Sequence, residues 1–184
     1  MANMSDRFNG VQAVVLEKFP KACYTHCNSH CLNLVLSHAC GDHSIKKTVR
    51  TVQDVINFFT SPKRTSILKQ AVAASLPESR RSKLVTLCET RWVERHDAIA
   101  VFWELFPAVI YSLEDIENNE CAITVGKAEG FRYRIRNIEF IANLKILESV
   151  LGYTFRLSVA LQTRNVDAAH VNKKNGENRR SPTS

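Results

Sequence analysis

Ser44-Ile45-Lys46-Lys47-Thr48-Val49-Arg50-Thr51-Val52-Gln53-Asp54-Val55-Ile56-Asn57-Phe58-Phe59-Thr60 decides the fold class. Val49, Val52, Ile56 and Phe59 recur at three- and four-residue steps, the period of one face of an amphipathic helix. Ser61-Pro62 then marks a turn and a new helix start, because proline suits the first helical position. Ile67, Leu68 and Val72 carry that helix from Lys63 to Ala74.

The same pattern extends outward in both directions. Val11, Val14, Val15 and Phe19 predict a helix over 10–19, stopped by Pro20. Residues 22–27 read as a short strand, with Tyr24 and Thr25 favouring extended backbone. Asn28 and Ser29 are good N-caps for a helix through Leu32, Val35, Leu36 and Ala39, and Gly41 is a natural stop. Residues 75–83 are polar, hold Pro77 and two arginines, and predict a surface loop. Residues 90–113 predict a helix carrying Trp92, Ile99, Phe102, Trp103, Leu105 and Phe106, broken or kinked at Pro107. Residues 114–120 are acidic and predict a solvated loop or helix end. A long apolar pattern over 131–161 predicts one helix, bent at Gly152. From Asn172 onward no apolar anchors remain, and that tail is expected to be disordered.

Composition narrows the function classes. The 184 residues are 45% hydrophobic, enough for a core. The formal charge of +7 favours polyanion partners, since phosphates attract Lys and Arg and release counterions. No run reaches the roughly 18 apolar residues of a membrane span, and the N-terminal residues lack the basic segment and apolar run of a signal peptide. Free thiols in a reducing compartment, nuclear or cytoplasmic and not secreted, are therefore expected for the six cysteines.

Three stretches carry candidate chemistry. Cys23, His26, Cys27, His30 and Cys31 crowd soft-metal ligands into nine residues. No distant second pair completes a zinc site, and buried cysteines acting as small hydrophobes are the plain alternative. Thr90-Arg91-Trp92-Val93-Glu94-Arg95-His96-Asp97 holds an Arg-Trp pair able to grip a phosphate and stack on a base. The same Trp92 is equally at home in a helical core. Lys63 and Arg64 stand at a helix start suited to a phosphate, or to ordinary solvent. No Gly-rich phosphate loop and no complete catalytic set appears.

Taken together, these pieces resemble the hAT transposase superfamily. They look most like its host-domesticated branch, the zinc finger MYM-type proteins and the THAP-type repressors of a protein-kinase inhibitor. The carrying stretches are Ala2-Asn3-Met4-Ser5, Asn9-Gly10-Val11-Gln12-Ala13 and His26-Cys27-Asn28-Ser29-His30 running into Leu32-Asn33-Leu34-Val35-Leu36. They continue with 58–64, with Cys88-Glu89-Thr90-Arg91-Trp92-Val93-Glu94-Arg95-His96-Asp97-Ala98, and with Leu157-Ser158 and Leu161-Gln162. The match spans roughly residues 2 to 170.

The resemblance implies an RNase H-like core interrupted by a helical insertion. Such a core holds two Asp and one Glu around two divalent ions, Mg or Mn, for strand cleavage. One Asp is expected upstream of this chain, a second immediately before Ala2, and the Glu beyond the polar tail. Asp6 stands where the family has Gly and lies on the wrong side of the motif to replace them. The family's Cys-x-x-His motif maps onto Cys27 and His30, and its Arg-Trp onto Arg91 and Trp92, which in some relatives stabilises a flipped base.

The expectation is thus a mainly α chain, a fragment of an RNase H-like α/β core whose first strands are missing. Residues 1–43 form a partial core segment, 44–125 a helical insertion, 126–170 a long helical segment and 171–184 a basic tail. It is expected to be a catalytically inactive piece of a transposase-derived protein, with no cofactor of its own. Residual binding to DNA, weak and phosphate-mediated, or to protein is expected, and none to membranes. Cys27, His30, Lys63, Arg64, Arg91 and Trp92 are the DNA-contact candidates. A partial reading of an active nuclease and a Cys/His metal-binding interaction module are the alternatives.

Overall fold

The computed structural model describes residues 10–22, 28–88, 92, 95–119 and 121–162, without the side chains of 28, 29, 161 and 162. Eight helices follow one another there: α1 Val11–Lys18, α2 Asn28–Ala39, α3 His43–Phe58, α4 Pro62–Ser75, α5 Arg95–Glu104, α6 Phe106–Asn119, α7 Ala122–Ile135 and α8 Ile138–Gln162. The chain is mainly helical, with no strand among the described residues. The expected strand at 22–27 and the expected disorder from Asn172 fall largely or wholly outside them; Ala22, which is described, is not in a strand.

Helix α8 packs against α2, α3, α5 and α7, while α6 packs against α4, α5 and α7. Between these groups lies one buried cluster drawn from α2 through α8. Phe102 sits fully buried at its centre, 6.3 Å from the ring of Phe106 and 6.4 Å from that of Phe140. The predicted α3 stripe holds: Val52, Ile56 and Phe59 are buried and Val49 packs against them. Two of the buried polar side chains have hydrogen-bond partners within the fold. Thr48 Oγ1 donates to the Ser44 carbonyl at 3.0 Å and accepts from Asn143 Nδ2 at 3.3 Å. Ser112 Oγ donates to the Ala108 carbonyl at 2.7 Å.

The helix ends follow local chemistry. Asp42 caps α3, its Oδ1 accepting from the Ser44 amide at 2.7 Å and the Ser44 hydroxyl at 2.6 Å. Gly41 ends α2 as expected, and close approach is the reason: a Cβ there would lie 2.8 Å from the His38 carbonyl oxygen. Pro62 opens α4, and Thr65 Oγ1 ties the corner by donating to the Phe59 carbonyl at 2.6 Å.

The break expected in the 90–113 helix is found two residues before Pro107, at Leu105, and Pro107 stands in the first turn of α6, where a missing amide hydrogen costs no helical bond. One expectation needs correction. The helix predicted over 131–161 is two. Asn137 Oδ1 accepts from the Glu139 amide at 2.8 Å and so caps a new helix, α8, after Arg136 has closed α7. Of the two readings of the acidic stretch, the helix end holds: Glu114 to Asn119 closes α6, and Glu114 and Glu117 pair with α7. Arg132 Nε lies 2.7 Å from Glu117 Oε1, and Arg136 Nη1 lies 3.3 Å from Glu114 Oε1.

Ser44 holds the Asp42 carboxyl below its ordinary value of 3.8. A depressed folded value means the cap's contribution is present above the unfolded value and is lost as pH falls through the folded one. Asp42→Ala is therefore expected to melt at a lower temperature than the parent at pH 7. The gap should narrow as pH falls below about 4, a range set by that 3.8 reference. Thermal melts of both proteins from pH 7 to pH 3 check this, and a gap that does not change with pH contradicts it.

Candidate nucleic-acid interface

Trp92 stands just before α5, and its surroundings are closed. Its side chain is only 9% exposed and belongs to the core cluster. Its amide donates to Asn33 Oδ1 of α2 at 2.8 Å, fastening the segment to that helix. Three residues on, Arg95 folds back with its guanidinium 4.1 Å from the indole centroid. Arg95 Nε also donates to the Cys88 carbonyl at 2.7 Å. Nearby, burial pushes the Cys40 thiol above its ordinary value, with the Arg95 charge pulling the other way. In this arrangement the indole offers no open face to a base, because one face carries Arg95 and the rest is buried.

The other candidates divide among separate places. His30 is exposed in the first turn of α2, next to the exposed thiol of Cys31. Asn33, one turn further along α2, links this helix to Trp92. Lys63 and Arg64 open α4, which packs on α6, whereas α2 packs on α8. Lys63 is exposed, and Arg64 lies over the Phe58 ring at 4.3 Å. Cys27 and Arg91, like Cys23 and His26, lie outside the described residues. Among the described residues no three His, Cys, Asp or Glu side chains gather as metal ligands. The divalent ions implied by the resemblance therefore find no fitting set there, and no chemistry is built on them.

Folding assembles a basic surface that motif reading missed. Ile45, Val49 and Val52 turn inward on α3, which leaves Lys46, Lys47 and Arg50 exposed on its outer face. None of these three has an ion-pair partner among the described residues. Beside them a groove of about 100 Å³ is lined by Lys47, Thr51, Tyr133, Arg134 and Asn137. Arg134 Nη1 lies 3.6 Å from Asp54 Oδ2, and Glu139 also lines the groove, so two carboxylates share the site. The sequence signal was available: an apolar stripe at 45, 49, 52 and 56 puts 46, 47 and 50 on the opposite face.

Trp92→Ala is expected to cost about 3–5 kcal/mol of stability, the usual range for deleting a buried aromatic. It should not selectively weaken binding to DNA with an unpaired base. Melts run beside a binding assay decide between the roles. A Trp92→Ala protein of parental stability that loses only unpaired-base binding contradicts the core role.

The chain can now be set beside known proteins. It is 26% identical over 174 residues to the 52 kDa repressor of the inhibitor of the protein kinase from Mus musculus. It is 28% identical over 176 residues to the protein of the same name from Homo sapiens. Each alignment takes in 90% of this chain and 23% of the relative, so the chain spans about a quarter of the length of these curated proteins. No family model matches it, and no solved structure does. No described helix is long and apolar enough to cross a membrane.

Proposed function

We propose that this chain is the helical part of a hAT-type, transposase-derived protein with an RNase H-like core, and that it binds DNA weakly through phosphates without cutting it. Two facts support the descent. The motifs from Ala2 to Gln162 stand in the family's order, and similarity to repressor-named proteins runs over 90% of the chain. The observation that carries the binding reading is the trio Lys46, Lys47 and Arg50, exposed on one helix face with no carboxylate partner among the described residues. Cations that are not internally neutralised are available to phosphates. The reading assigns binding to this chain and no cleavage. A repressor, as the relatives are named, needs to occupy a site and needs no bond broken.

Duplex affinity should fall steeply between 50 and 200 mM salt, with a log–log slope of about −0.9 per phosphate contacted and little sequence preference. Replacing Lys46, Lys47 and Arg50 together by Gln is expected to flatten that slope by roughly 2–3 units. Removing the tail after His170 should lower affinity for every sequence alike. Supplying Mg²⁺ or Mn²⁺ should produce no nicking. Salt-independent binding, or a slope the triple variant leaves unchanged, contradicts the proposal.

A further inference from the structure

Tyr133 is the unusual feature of the groove beside α3. It is 80% exposed, on a helix whose other described aromatic, Phe131, packs against the core. An aromatic on a helix leans back over the preceding turn. Three residues back stands Gly130, where an added Cβ would meet nothing within 4 Å. Gly126, a further turn back, is equally open. Glycine inside an exposed helix is disfavoured, and neither position has a packing neighbour that would require it. A use for the empty space does account for them: both glycines, with Arg136 and Tyr133, line a second hollow that Lys47 does not reach. The phenol ring thus borders two open depressions, and cations flank it on each.

We infer that Tyr133 is a stacking platform for an unpaired base of a nucleic-acid strand, with Lys47 and Arg134 holding the flanking phosphates and Lys46 and Arg50 continuing the track along α3. An aromatic ring beside cations is the arrangement by which single strands are held, since every base has a face to stack and every nucleotide a charge. A paired base inside a duplex has both faces covered by its neighbours and cannot use the ring. Thr51, at the groove's edge, adds a hydroxyl able to donate to a phosphate oxygen. Glu139 in the same groove, Glu129 in the second hollow and Asp54 on Arg134 oppose the anion. They keep the affinity modest. This inference rests on the proposed phosphate-mediated binding and adds to it a site and a preference for unpaired strands.

The test uses the full chain, with fluorescence anisotropy on oligo-dT, oligo-rU and a blunt DNA duplex, and melting curves for every variant. Tyr133→Ala is expected to weaken binding to both single strands on the order of tenfold, the usual effect of removing a stacking ring. Tyr133→Phe, which keeps the ring, should stay within about twofold of the parent. Gly130→Leu fills the space beside the ring and should reproduce the single-strand loss without lowering the melting temperature. Duplex affinity should be nearly unchanged in all three. Equal losses on duplex and single strands, or single-strand affinity unmoved by Tyr133→Ala, overturns the site. If that happens while duplex binding stays salt-sensitive, the stacking site fails and the phosphate-mediated reading stands. Binding to neither nucleic acid fails both.

Discussion

Everything else in this chain hangs on the burial of one stripe of α8. Phe140, Leu144, Leu147 and Leu151 recur at three- and four-residue steps and are all buried. A fully buried Leu or Phe side chain contributes about 1.5–3 kcal/mol relative to exposure, so the stripe is a large term in a marginally stable fold. It faces helices that are far apart in sequence, α2 and α3 on one part and α5 on another. Phe140 reaches furthest, with its ring stacked 6.5 Å from Phe106 at the start of α6 and 6.4 Å from Phe102 of α5. Gly152 of α8 lies against α5, where an added Cβ would make an ordinary contact with His96 Nε2 at 3.5 Å, and Phe155 stacks on that imidazole at 4.9 Å.

The surface follows from that interior. Once α3 lays Val52, Val55 and Ile56 into the core, its cations are left outside, and Lys46, Lys47 and Arg50 are exposed. Once Ile135 and Ala128 are buried, Tyr133 and Gly130 must face out on α7. The α6–α7 ion pairs, Arg132 with Glu117 and Arg136 with Glu114, hold that helix in register against α6. The cationic face and the exposed ring are brought to one groove because α3 packs on both α7 and α8. Trp92 goes the other way. Tied to Asn33 and covered by Arg95, it joins the elements around the core.

How much of this was legible depended on whether the signal was local. Helical period is local, so α3 and the α4 start at Pro62 could be read directly. The corner at Asn137 was hidden because Ile135, Ile138 and Ile141 keep the helical period across it, and one capping side chain outweighs that pattern. The pairing of α6 acids with α7 arginines is a contact between helices, which spacing cannot express. The Arg-Trp motif allowed both a stacking and a packing role, and only Asn33, some sixty positions earlier, distinguishes them. The α3 cations were in plain view, yet they form no motif. They become a site only when Tyr133 and Arg134 arrive from a distant helix.

The most direct measurement of the central claim is an amide-resolved NMR titration of the full chain with a short single-stranded oligonucleotide. The account predicts shift changes concentrated at residues 44–51 of α3 and 130–137 of α7, saturable and reversed by salt, while the Trp92 indole signal stays in place. Shifts centred on Trp92, His30 and the start of α5, with α3 and α7 silent, would contradict it.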